Sequence, residues 1–131
     1  MEQLRDEFLI RFRGGSLGET ENRMPEEKFQ NQTLRPILKL QNDLFVEMFR
    51  NYITKYKNDF QTLSAEKKLM YIEHAIQKDI KFRNSLKGVV MALFTIEEYR
   101  SYTSNSSNLN KRMMNMLAER LKEQVQLFEE I

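Results

Sequence analysis

The strongest constraint in the sequence is a long run of apolar side chains at helical spacing in residues 34–56. Its members are Leu34, Ile37, Leu38, Leu44, Phe45, Met48, Phe49, Tyr52, Ile53 and Tyr56. Because positions i, i+3, i+4 and i+7 lie on one side of an α-helix, this run predicts a single amphipathic helix. At about 1.5 Å of rise per residue that helix would be roughly 35 Å long, enough to form the backbone of a helical bundle.

Two further long helices are predicted after this one. The first begins behind Ser64, a residue typical of N-caps, and ends or bends near residues 84–88. Its apolar face contains Leu69, Ile72, Ile76 and Ile80. The other long helix is predicted over residues 109–130.

Shorter helices are predicted at Pro25, which suits a first helical position, and at Thr95, which forms a capping box with Glu98. Only four glycines and two prolines occur in 131 residues, a composition typical of helices. The sequence therefore predicts an all-α fold, a helical bundle of three long helices plus shorter ones.

Residues 1–24 have a different pattern from the rest. Phe8, Ile10 and Phe12 alternate with Leu9 and Arg11, and this period of two predicts an extended arm. A glycine-rich segment over 14–18 then predicts a hinge. Such an arm could dock on a partner or a second subunit, or it could pack on its own bundle or be mobile. We expect an arm and hinge over 1–24 and a single helical domain over 25–131.

Composition excludes several classes of function. With 21 basic and 19 acidic side chains, the formal charge of +2 is far from that of a dedicated nucleic-acid binder. The absence of cysteine and the single histidine, His74, argue against a zinc site and thiol chemistry. No motif for a catalytic nucleophile or a cofactor is visible. Without an apolar run of roughly 20 residues or a signal-peptide pattern, we expect a cytoplasmic protein with no membrane partner.

Polar side chains interrupt the apolar face of each predicted long helix. On a helical wheel Asp79 and Arg83 lie at the centre of the arc defined by Ile72 and Ile76. Their i, i+4 spacing would allow them to pair with each other. In the same way Gln41 interrupts the first long helix and Arg120 the last.

These four side chains lead to two interpretations. One is a polar cavity lined by Gln41, Asp79, Arg83 and Arg120, which would bind a small anion because a guanidinium matches carboxylate or phosphate. Possible rim residues of that cavity are Asn84, Tyr99 and Arg112. The other interpretation is a structural hydrogen-bond network, or arginine stems that reach solvent. Helical spacing does not decide whether the four groups meet at one height.

Two surfaces could bind a macromolecule. The last helix carries a seam with a repeat of about 3.5 residues, which could serve a homodimer or an intrachain contact. Its members are Asn110, Met114, Leu117, Leu121, Gln124 and Phe128. The intrachain use is favoured, because so short a chain needs its apolar faces for its own core. A homodimer through Phe8, Ile10 and Phe12 is the other possibility.

A locally basic segment allows a weaker alternative, a DNA-binding regulator of the helix-turn-helix type. Its lysines are Lys67, Lys68, Lys78, Lys81 and Lys87. A charge run of this kind is also the pattern of an ordinary solvated helix face.

Three segments carry a resemblance to a known group. FQNQTLRPILKLQNDLF, DIKFRNSLKGVVMALFT and NKRMMNMLAERL, within about residues 28–121, resemble small, uncharacterised proteins of Bacteroidetes that are often labelled glyoxalase. That label implies an enzyme, which here would use a polar cavity in the bundle. Usual glyoxalases have paired βαβββ modules with His and Glu metal ligands, and this chain has neither that strand pattern nor those histidines. No catalytic or metal-binding residue is therefore transferred.

Overall fold

The computed structural model describes residues 2–14, 24–55 and 59–129, with side chains from residue 4 onward. In this part of the chain every regular element is helical, so the all-α prediction is confirmed. The α-helices are α1 (Glu2–Arg13), α2 (Pro25–Phe29), α3 (Arg35–Leu40), α4 (Asn42–Lys55), α5 (Ala65–Lys78), α6 (Ile80–Met91), α7 (Ile96–Thr103) and α8 (Ser106–Glu123). A π-helical turn, Gln30–Leu34, joins α2 to α3, and 3-10 turns occupy Phe60–Thr62 and Val125–Phe128. None of the described helices combines the length and the apolar character needed to cross a membrane.

The chain forms two compact units. The first contains Met1–Gln41 and Lys87–Met113, and the second contains Asn42–Leu86 and Met114–Ile131. The prediction of a single domain over 25–131 stays a prediction.

The long helix predicted over residues 34–56 is two helices. The chain leaves helical geometry at Gln41, with φ −92° and ψ 7°, between α3 and α4. Phe45, Phe49 and Ile53 are buried as predicted, but Leu44 is exposed. Residues 56–58 lie outside the described part of the chain.

The second predicted helix is also divided. Its start is confirmed, since Ser64 Oγ accepts a hydrogen bond of 3.2 Å from the N–H of Lys67. It ends at Lys78, and Asp79 is extended with φ −80° and ψ 101°. Asp79 caps α6 instead, because its Oδ1 accepts a bond of 3.2 Å from the N–H of Phe82. Ile80, predicted to face inward, is consequently exposed.

The prediction of an extended N-terminal arm is wrong, because residues Glu2–Arg13 form the helix α1. Its sequence is rich in Glu, Gln, Leu and Arg, which are good helix formers, and three alternating apolar residues do not outweigh them. The helix ends before Gly14, whose φ of +89° is a left-handed conformation that suits glycine. The rest of the predicted hinge, residues 15–18, lies outside the described part of the chain.

Each unit has an apolar core. In the first unit the rings of Phe29 and Phe94 meet edge to face at 5.5 Å. In the second unit Phe49 is fully buried among aromatic rings. These rings belong to Tyr52, Phe60, Tyr71, Phe82 and Phe128.

The apolar seam of the last helix is used within the chain. Met114, Leu117, Leu121 and Phe128 are all fully buried. This agrees with the intrachain interpretation, and it means that these four side chains do not present an open face to a second copy.

Candidate functional site

Helix α1 exposes large apolar side chains and buries an arginine. Leu4, Phe8 and Phe12 are 72%, 60% and 56% exposed, whereas Leu9 and Arg13 are each 7% exposed. The rings of Phe8 and Phe12 are stacked, with centroids 5.5 Å apart. A surface helix normally has the opposite arrangement, with its apolar stripe toward the core. We call Leu4, Phe8 and Phe12 the docking stripe.

An ion pair between Arg13 and Glu98 explains why the docking stripe of α1 faces solvent. Arg13 donates to both carboxylate oxygens of Glu98, at 2.6 Å and 2.8 Å, and also to the carbonyl oxygen of Leu93 at 2.9 Å. The Glu98 carboxylate further accepts from Thr33 Oγ1 at 2.7 Å and from the N–H of Thr95 at 2.8 Å. A bidentate guanidinium–carboxylate pair with these additional donors meets the conditions under which a buried charge pair is tolerated.

The protonation of Glu98 follows from the same contacts. Burial raises the pKa of this carboxyl, but the hydrogen bonds from Arg13, the Thr95 N–H and Thr33 outweigh burial and place the pKa below its ordinary value of 4.5. Glu98 is therefore ionised at neutral pH, and the pair with Arg13 is fully formed.

A pH dependence follows from this lowered pKa. On acidification Glu98 is protonated at a higher pH in the unfolded chain than in the folded protein. The pair's contribution to the free energy of unfolding is therefore fully present above about pH 4.5 and decreases as the pH falls toward the lower pKa of the folded state. We expect the melting-temperature gap between the wild type and Glu98→Gln, followed by circular dichroism, to narrow on acidification. A gap that stays constant or widens would contradict this origin.

Arg5 and Asp6 complete the attachment of α1. Arg5 donates to the carbonyl oxygens of Phe94 and Ala92 at 2.9 Å and 3.0 Å. Asp6 Oδ2 accepts from the N–H of Ile96, at the start of α7, at 3.1 Å. Backbone groups beyond helix ends have no intrahelical partner and need others. The polar side of α1 supplies partners for backbone groups in the connection from α6 to α7. Because that side faces the connection, the docking stripe faces solvent.

A cleft of about 740 Å³ lies beside α1 in the first unit. The acidic side chains among its described walls are Asp6, Glu7, Glu26, Glu97 and Glu98, and the one basic side chain there is Lys28. Asp6 and Glu98 already have the partners given above. The remaining charge is negative, so this cleft does not suit the small anion that the sequence predicted.

A smaller cleft of about 280 Å³ in the second unit has the opposite charge. Its walls include Lys55 and Lys81, with Phe82 as an aromatic side and Asn51 and Ser85 as polar groups. Two ammonium groups beside the amide of Asn51 would suit an anion better than the larger cleft does.

Asp79, the first of the residues predicted to line a cavity, has partners of its own. Tyr52 Oη donates to Asp79 Oδ2 at 2.8 Å, and this bond, followed by that from the Phe82 N–H, lowers the pKa of the carboxyl below its ordinary value. The pair with Arg83 that the spacing would allow is not formed among the described contacts. Asp79 caps α6, so its two carboxylate oxygens already have partners, the Tyr52 hydroxyl and the N–H of Phe82.

The other three predicted residues have different surroundings within their own units. Arg120 Nη1 donates weakly, at 3.4 Å, to Asn42 Oδ1, and Asn42 exchanges hydrogen bonds of 2.8 Å and 2.9 Å with Gln124. Arg83 is half-buried. Gln41 is the last residue of Met1–Gln41, one of the two segments that form the first unit. Within the described residues, no hydrogen bond or ion pair joins Asp79, Arg83 and Arg120 to one another. A ligand-binding role for the set stays a prediction.

The predicted rim residues have separate surroundings. Asn84 and Tyr99 are exposed, and Arg112 donates to Gln30 Oε1 at 2.8 Å. Of the lysines considered for DNA binding, Lys68 is buried with its Nζ 5.5 Å from the centre of the Phe60 ring. It therefore does not contribute to a solvated basic face.

Three parts of this site were not among the sequence predictions: Arg5, Arg13, and the bonds of Glu98 to Arg13 and Thr33. One signal was present: Arg5, Leu9 and Arg13 recur every four residues and so share one face of a helix. This signal was obscured by the period of two in which Phe8, Ile10 and Phe12 alternate with Leu9 and Arg11.

The fold and these surfaces define an all-α protein with an anchored helix that exposes its apolar side. No family model matches the sequence, and neither a curated protein nor a solved structure shows significant similarity to it. The resemblance to the Bacteroidetes group stays a prediction. Among the described residues, no group of three or more His, Asp and Glu side chains could hold a metal ion.

Proposed function

We propose that the chain is a cytoplasmic interaction protein that binds its partner through the docking stripe of α1. The observation that carries the proposal is the orientation of this helix: two of its three arginines, Arg5 and Arg13, bind backbone carbonyl oxygens of the same unit, and the docking stripe is left in water. Fully burying one side chain of the stripe contributes about 1.5–3 kcal/mol. A partner that covers all three side chains of the stripe gains a substantial driving force.

The spacing of the stripe indicates how a partner would bind. Single exposed apolar residues are normal on protein surfaces, but these three lie on successive turns at i, i+4 and i+8. That is the spacing of the anchors by which a helix binds an apolar groove or another helix. The stack of Phe8 on Phe12 presents one continuous apolar surface to such a partner.

Photo-crosslinking tests the proposal. We would place p-benzoylphenylalanine at Phe8 in the cells that express the protein, and at Tyr99 as a control, because Tyr99 is an exposed aromatic of the same unit. We expect a higher-mass adduct from position 8, abolished by Phe12→Glu, and none from position 99. Absence of an adduct at position 8, or equal adducts at both positions, would refute the proposal.

A second candidate function, binding of a small anion, is favoured by the two lysines of the smaller cleft. Saturating phosphate or an aromatic carboxylate at about 100 times its Kd would stabilise the protein by about 2.7 kcal/mol. We expect Lys81→Ala to lose this shift in melting temperature, while Lys78→Ala, which removes an exposed lysine outside the cleft walls, retains it. If no anion shifts the melting temperature of the wild type, this function is excluded.

A further inference from the structure

We infer that the partner of the docking stripe is α1 of a second copy of this chain, bound antiparallel to the first. This inference rests on the proposed function and adds the identity of the partner. It is carried by two exposed charges that flank the stripe, Glu7 and Arg11, which have opposite sign and lie one helical turn apart.

The positions of these charges follow from helix geometry. At about 100° per residue, the docking stripe spans roughly 80° of the helix surface, and Arg11 and Glu7 lie about 60° and 100° from its centre on one flank. The other flank begins with Arg5, whose guanidinium is bound to the carbonyl oxygens of Ala92 and Phe94. Of the two flanks of the stripe, the one with Glu7 and Arg11 therefore has charged side chains that are not bound to these backbone groups.

Two-fold symmetry makes this flank complementary to itself. When two antiparallel helices are related by a two-fold axis, the same flank of each lies beside that of the other. With the axis near the level of Leu9, Glu7 of each copy comes level with Arg11 of the other, so two ion pairs form. Phe8 of each copy then lies close to the axis, and Phe12 of each copy comes level with Asp6 of the other, between that copy's Leu4 and Phe8. A parallel pair would instead bring Arg11 toward the flank of Arg5, where the charges are alike.

The size of the stripe sets the strength that we expect. Three apolar side chains per copy cover less than the roughly 800 Å² per partner of a standard stable interface. The dimer should therefore be a weak one, in a monomer–dimer equilibrium with a dissociation constant on the order of micromolar or above. Light scattering and sedimentation equilibrium from micromolar to millimolar chain concentration should follow it, and Phe8→Glu should be monomeric with an unchanged circular dichroism spectrum.

Charge reversal tests the antiparallel arrangement. Glu7→Arg gives arginine at both flank positions and Arg11→Glu gives glutamate at both, so each variant should dimerise about tenfold more weakly than the wild type. The double variant restores both pairs and should recover wild-type affinity. An equimolar mixture of the two single variants should form a heterodimer more tightly than either variant forms a homodimer. Melting curves of each variant verify that the fold is retained.

The outcomes separate this inference from the proposed function. A wild type that is monomeric at every concentration, with a position-8 adduct to a different protein, overturns the second copy as partner and leaves the interaction function standing. A monomer with no position-8 adduct overturns both. A dimer that is indifferent to both charge reversals, with no preference for the mixed pair, overturns the antiparallel inference.

Discussion

Glu98→Ala is expected to lower the free energy of unfolding by roughly 3–5 kcal/mol, the usual result of removing one partner from a buried ion pair. The Arg13 side chain is only 1% exposed, so its guanidinium would lose the carboxylate and keep only backbone carbonyl oxygens as protein partners. The substitution also removes the acceptor of the Thr33 hydroxyl and of the Thr95 N–H. Urea denaturation followed by circular dichroism measures the change.

Glu97→Ala is the matched control, because it deletes the same charge from the neighbouring, exposed position in the first turn of α7. Only a favourable interaction with the helix dipole is lost there, about 0.3–1 kcal/mol. The double variant Arg13→Met with Glu98→Ala should be more stable than Glu98→Ala alone, since no unpaired charge is then buried. If Glu98→Ala differs from wild type by no more than Glu97→Ala does, the pair does not hold α1 in place.

The same pair connects stability to the proposed interaction. Arg13 and Glu98 do not belong to the docking stripe, yet they fix the side of α1 that faces solvent. Glu98→Ala should therefore weaken association through Phe8 and Phe12, while leaving those side chains chemically intact.

The features that could be predicted from the sequence are those determined within one or two helical turns. The Ser64 cap and the Thr95–Glu98 capping box depend on residues three positions apart, and both form. The breaks at Gln41 and Asp79 were missed, because neither position carries the glycine or proline that usually marks one. The Asp79 break does have a local signal, an aspartate suited to an N-cap, but the strong apolar periodicity around it hid that signal.

The candidate site could not be predicted, because it depends on pairing across the chain. Arg13 and Glu98 are 85 residues apart in sequence, and no local pattern indicates that they meet. Two structures fit the spacing of Phe8, Ile10 and Phe12. One is an extended segment with a period of two, and the other is a helix in which Phe8 and Phe12 are one turn apart. The composition of residues 2–13 favoured the helix, and the contacts of Arg5 and Arg13 determine which face it buries.

Phe49→Ala is expected to destabilise the protein by about 3–5 kcal/mol, the range for truncating a fully buried phenylalanine. Phe49 lies at the centre of the aromatic cluster of the second unit, with five ring centroids 4.9–6.2 Å from its own. Truncation removes its contacts with all five rings and leaves a cavity that helices fixed by other contacts cannot fully close. Urea denaturation followed by circular dichroism and tyrosine fluorescence measures the loss, since Tyr52 and Tyr71 belong to the cluster.

Phe8→Ala is the matched control and separates stability from function. The same atoms are deleted, but Phe8 is exposed, so stability should change by no more than about 0.5 kcal/mol while the association through α1 is lost. Phe49→Ala should show the converse, with association retained under conditions in which the variant is still folded. If Phe8→Ala were as destabilising as Phe49→Ala, the docking stripe would be part of the chain's own core, because only a buried ring can lose that much on truncation.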